Sequence, residues 1–124
     1  MTEDKYAMSE NPPVGYGLPV WLDTALYLSA DEVRALGSFE IGSRDRCAFP
    51  GCGLWPIEAA HIARKGAGGQ KHDGPQILVC RDHHVTVDGH PEKLCFAIRR
   101  SDKAVGCLNL AGIFTVLASG YEVV

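Results

Sequence analysis

Apolar positions along the chain fall into short runs separated by turn residues, and this pattern predicts a small mixed fold. From Pro56-Ile57 an apolar run continues through Ile62 and reads as a strand. Ile77, Leu78 and Val79 form a second short strand that ends at Cys80. A short helix follows, with Asp82 as its N-cap and Gly89 and Pro91 as its stop. Between the strands lies RKGAGGQKHDGP, a glycine-rich basic loop. The middle of the chain is therefore ordered strand, loop, strand, helix.

The flanks carry weaker signals. Residues 1–19 are rich in proline and glycine and read as an extended arm. A helix is expected from Ala30 to Leu36, since Ser29 and Glu32 form an S-x-x-E capping box, Val33 and Leu36 share a face, and Gly37 ends it. Trp21, Leu22, Leu26 and Leu28 are expected to pack on the rest of the protein. Beyond His90, KLCFAIRR and GIFTVLASGYEVV read as strands or packing segments. The fold class is α+β, divided into an N-terminal arm and helix (1–42) and a domain with a C-terminal extension (43–124).

Composition narrows the function classes. At 124 residues and 46% hydrophobic, the chain can bury a core and is not of disordered composition. No apolar run approaches the ~20 residues that span a bilayer. The opening MTEDKYAMSENPP is acidic and polar, unlike a secretory signal, so the reading is a cytoplasmic protein with no membrane partner. Five cysteines in a reducing compartment point to metal binding more than to disulfides. The net charge of −3 is unevenly spread. Residues 1–42 carry two Lys/Arg against seven Asp/Glu, whereas residues 43–100 carry nine against six. The basic part coincides with the histidines and cysteines, which fits either a phosphate-facing surface or an ordinary solvated face.

The candidate chemistry lies in the middle. VCRDHHVTVDGH, residues 79–90, holds one cysteine, three histidines and two aspartates. Cys47-x4-Cys52 places two thiols around the Pro50-Gly51 turn, and Cys80-x2-His83 supplies a second pair. Two short-spaced pairs separated by a longer loop suit a closed tetrahedral zinc site; the competing reading makes Cys47 and Cys52 plain core residues. Cys95 and Cys107 sit in apolar surroundings and read as small buried hydrophobes. On a helix, His84 and Asp88 at i and i+4 share a face and can hold one divalent cation, Mg²⁺, Mn²⁺, Ni²⁺ or Zn²⁺. His90 is off that face and is the weaker third candidate. His61, on the first strand, is either a hydrogen-bonded core histidine or a base that takes a proton from water beside a metal-bound phosphate.

Taken together, Cys-x4-Cys, AAHI, a Gly-Gly loop, an Asp before a short strand and C-x2-HH-x3-D resemble the HNH endonucleases in their zinc-stabilised, phage-type form. The resemblance covers about Cys47 to His90 and implies the ββα-metal, or His-Me finger, fold with a zinc knuckle. It implies that His61 is the general base and that His84 and Asp88 ligate a catalytic cation. It implies that Cys47, Cys52, Cys80 and His83 hold structural zinc. Asp73 stands near the middle residue of the motif, usually Asn, which orients the base. Ala60 departs from the pattern: many members place Asp or His there as a ligand, and Glu58, Asp73 or His90 are the substitutes at hand.

The expected function is hydrolysis of DNA phosphodiesters by a metal-dependent endonuclease or nickase, working with phage recombination or packaging proteins. Arg64, Lys65 and Lys71 in the glycine-rich loop are candidates for DNA-backbone contacts, or are ordinary surface cations. The alternative is a zinc-stabilised DNA- or protein-binding module whose nuclease site has decayed. Ala60 and the net acidity favour the alternative; His61, His84 and Asp88 at workable spacing favour the enzyme. No base-reading element and no oligomeric state are legible.

Overall fold

A computed structural model describes residues 18–63 and 74–119 as a mixed α+β protein built from small sheets and few helices. The elements are helix α1 (Ala30–Arg34), strands β1 (Glu40–Ile41), β2 (Ile57–His61) and β3 (Gln76–Cys80), helix α2 (Arg81–Gly89), and strands β4 (Leu94–Ile98), β5 (Val105–Asn109) and β6 (Phe114–Ala118). The first sheet has the order β1-β3-β2, with β1 parallel and β2 antiparallel to β3. The second is an antiparallel meander, β4-β5-β6. Helix α2 touches β2, β3 and β4, so it sits where the sheets meet.

The central position of β3 follows from its sequence. Ile77, Leu78, Val79 and Cys80 are all buried, the signature of a strand covered on both faces. In the second sheet the period of two separates the faces. Phe96, Ile98, Val105 and Cys107 join Ile77, Val79 and Val87 in the main core, while Cys95, Ala97 and Leu108 pack with Leu22 and Tyr27 on the other side. Fully burying a side chain such as Phe96 or Ile77 stabilises by about 1.5–3 kcal/mol. Leu28, Val33 and Ile41 belong to this main core too, so described residues on either side of position 42 pack together.

The α1 capping box forms as expected, with Glu32 N–H donating to Ser29 Oγ and Ser29 N–H to Glu32 Oε1. The helix ends at Arg34, two residues short of expectation, because Leu36 N–H turns back to Val33 O and Gly37 takes φ 92°. Glu32 also receives both Arg100 Nη groups at 2.8 Å, and Arg100 donates to Thr24 O at 2.8 Å. These bonds from Arg100, followed by the Ser29 backbone N–H, hold the Glu32 carboxyl down at about 2. Leu28 N–H donates to Ile98 O, so the N-terminal stretch lies along β4. Leu22 and Leu28 are buried and Trp21 is half-buried, as expected, but Leu26 is 57% exposed, set in the turn between Asp23 and Tyr27.

Strands β1 and β5 are not announced by the pattern. β1 is two residues long, and Gly106 interrupts the apolar run of β5. That glycine has a steric cause: a Cβ there would stand 2.3 Å from Thr115 O and 2.7 Å from the Phe114 ring. The ladder between β5 and β6 shifts register at Val105/Gly106, where Phe114 crosses close to the backbone. Gly106→Ala is therefore expected to destabilise by about 2–3 kcal/mol through overpacking, more than the ~0.4–1 kcal/mol regained by restricting the unfolded chain. The reading is a Tm lowered by roughly 10 °C; an unchanged Tm would mean that β6 moves aside at no cost.

Candidate metal centre and the helix face beside it

Two features of the chain bring Cys47, Cys52, Cys80 and His83 together. The first is a tight knuckle: Cys52 N–H donates to Phe49 O at 3.1 Å, and Gly51 adopts φ 75°, which a residue with a side chain would resist. Ala48 N–H donates to Leu78 O, fastening the knuckle to β3. The second is the passage from β3 into α2 without a loop. Cys80 is both the last residue of β3 and the N-cap of α2, its Sγ accepting from His83 N–H at 3.4 Å. The helix thus begins at Arg81 and not beyond Asp82; Asp82 sits in the first turn, where its charge suits the helix dipole.

The four ligand atoms lie within 4.8 Å of one another. Cys52 Sγ is 3.9 Å from Cys80 Sγ, and His83 Nδ1 is 3.4, 3.7 and 3.2 Å from the sulfurs of Cys47, Cys52 and Cys80. A tetrahedron with metal–sulfur bonds of ~2.3 Å and a metal–nitrogen bond of ~2.0 Å has edges of roughly 3.5–3.8 Å. The residues therefore fit a closed Cys3His site that can hold a metal such as zinc. Phe49 stacks on the His83 ring at 3.8 Å and 12°, fixing its plane. Burial raises the Cys80 thiol pKa, and the sulfurs of Cys47 and Cys52 add to the rise. The Leu54 backbone N–H draws the Cys52 thiol below its usual value. A cation bound among the sulfurs would favour their thiolate forms. Among the described residues this is the one group of three or more such side chains with converging ligand atoms. Cys95 and Cys107 are buried but are not part of this group, and desolvation pushes their thiols up to about 12 and about 11, as expected of inert core residues.

One residue beyond His83, a second constellation opens on α2. His84 Nε2 stands 3.0 Å from Asp88 Oδ2 and His84 Nδ1 stands 2.8 Å from Glu58 Oε1. Glu58 Oε2 accepts from Arg81 Nε at 2.7 Å. Hydrogen bonds to His84, the larger, and to Arg81 lower the Glu58 carboxyl pKa. The expected His84–Asp88 pairing at i and i+4 is thus present. His90 is not brought to it: it is the C-cap of α2, and its ring faces Glu92 at 3.5 Å. His61 closes β2, half-buried and paired in register with Gln76. Ala60 is fully buried and alternates with Glu58 on one face of β2. Asp73, Arg64, Lys65 and Lys71 lie outside the described residues.

Two pairings are not given by spacing alone: that of Glu58, expected only as a substitute ligand, with the His84 ring, and that of Phe49 with His83. Glu58 reaches His84 because β2 pairs antiparallel with β3, placing Glu58 opposite Val79, just before the helix. Phe49 carried a readable signal, an aromatic between two candidate ligands, but nothing in the sequence said which ring it would cover. Compared with known protein families, curated proteins and solved structures, the chain matches none.

Proposed function

We propose that the protein is a metal-dependent DNA endonuclease or nickase of the HNH type, phage-related, with structural zinc in the Cys3His cluster. The observation that carries the reading is the convergence of His84 and Asp88 on one face of α2. The separation of 3.0 Å between Nε2 and Oδ2 is that of neighbouring ligands on a cation with bonds of ~2.1 Å. A cation bound there supplies Lewis acidity at the phosphate and stabilises the leaving 3′ oxygen. His61 takes the proton of the attacking water. The Cys3His cluster ties the knuckle to the β3–α2 junction and so fixes His84 one residue from a rigid anchor. Arg64, Lys65 and Lys71 are the proposed DNA-backbone contacts, and Asp73 the residue that orients His61. The alternative, a zinc-stabilised binding module, draws on Ala60, which offers no ligand atom beside His61.

The test is conversion of supercoiled plasmid to open-circle or linear DNA in Mg²⁺, Mn²⁺, Ni²⁺ or Zn²⁺. Controls are chelation mild enough to leave the zinc content intact, and Asp88→Asn. Cleavage that requires added cation and falls by about tenfold or more in Asp88→Asn is expected, as metal ligands and their partners typically contribute at this level. Zinc-loaded protein that fails to cut in any of the four cations would replace this reading with the binding module.

A further inference from the structure

We infer that Glu58 is a positioning residue for the proposed cation site, holding Nδ1–H of His84 so that Nε2 is presented beside Asp88. The inference rests on the nuclease reading of that site. A histidine that ligates through one ring nitrogen needs its other nitrogen engaged, because that bond selects the tautomer and fixes the ring plane. Each nitrogen of the ring faces a different carboxylate: Glu58 Oε1 lies 2.8 Å from Nδ1, and Asp88 Oδ2 lies 3.0 Å from Nε2. The two nitrogens open on different edges of the imidazole. A carboxylate oxygen held at Nδ1 is therefore turned away from an ion at Nε2, and Glu58 acts through His84 and not as a third ligand.

The second oxygen of Glu58 is also committed. Arg81 Nε donates to Oε2 at 2.7 Å, and the Arg81 backbone N–H donates to Pro56 O at 2.9 Å. Arg81 is thus anchored next to the strand that carries Glu58, and the carboxylate is fixed from both ends. The His84 and Glu58 side chains are each only 26% exposed, which limits competition from water for the bond between them. Strand β2, the helix start and the ring form one continuous chain of contacts, with the Arg81 side chain, 63% exposed, at its outer end.

The experiment measures Mn²⁺ binding to zinc-loaded protein, following the resonance of free Mn²⁺, in wild type, Glu58→Gln, Glu58→Ala and Glu58→Val. Valine is a strong strand former and repeats the deletion without weakening β2. Zinc content and Tm are read on every sample. Glu58→Ala and Glu58→Val are expected to bind Mn²⁺ about 10–100-fold more weakly, the usual effect of losing an outer partner of a ligating histidine. Glu58→Gln is expected to stay within about threefold of wild type, since its amide oxygen still accepts the N–H bond. Cleavage by the Ala and Val variants should recover as Mn²⁺ is raised. Equal losses in Gln and Ala would make Glu58 a direct ligand and overturn the inference. Unchanged affinity in Ala and Val would overturn it as well, with the cation site left standing. Wild-type protein that binds no Mn²⁺ would remove both the site and its positioning residue.

Discussion

Replacing Cys80 with serine is expected to abolish zinc binding at the proposed Cys3His site and lower the Tm by about 15 °C or more. The substitution separates three roles held by one residue. Cys80 closes β3 opposite Ile57, caps α2, and contributes a sulfur to the cluster. Serine keeps the strand and is a better N-cap than cysteine, so what it removes is the soft ligand. Structural zinc is worth about 10–16 kcal/mol in small metal-folded peptides, against a total of about 5–15 kcal/mol for an ordinary domain. Only part of that energy is at stake here, because a continuous apolar core from Leu28 to Cys107 remains. Zinc content by mass spectrometry and thermal unfolding by circular dichroism decide the matter. Zinc-free Cys80→Ser protein melting like the wild type would show that the core holds the knuckle in place without metal.

His61→Ala is expected to reduce cleavage by about 10²–10⁴-fold, the range a positioned general base contributes. Two controls give the loss its meaning. The zinc content should stay at the wild-type value, since register places His61 opposite Gln76, at the other end of the ladder from Cys80. Mn²⁺ affinity should also hold, which separates His61 from Asp88 and Glu58. Added imidazole should restore part of the rate, because a diffusible base can enter the space the side chain leaves. Full activity in His61→Ala would place the base elsewhere in the chain and end the assignment of His61.

What could be read in advance depended on how local each signal is. The α1 capping box, the Cys-x4-Cys turn and the i,i+4 pair on α2 are set by short-range geometry, and each appears where spacing put it. The cluster of Cys47, Cys52, Cys80 and His83 was legible because ligand pairs around tight turns have few other reasons to occur. Contacts that depend on strand pairing were not legible. The reach of Glu58 to His84 spans 26 positions and follows from strand register, and that of Arg100 to Glu32 spans 68 and follows from the N-terminal stretch lying along β4; no local pattern specifies either. Strand β5 was hidden by Gly106, whose small size answers to a neighbour on another strand. The N-cap at Cys80 escaped notice because Asp82 is the more familiar capping residue, and sulfur accepted the bond first.

The absence of any loop between β3 and α2 has a consequence for assembly. A slip of β3 by one residue against β2 would displace its end by about 3.3 Å and turn alternate side chains over. Cys80 would then leave the tetrahedron, and His83 and His84, borne on the helix that starts at the next residue, would move with it. An ion bound by the four residues would thus select for strand register, since a misaligned chain presents no complete ligand set.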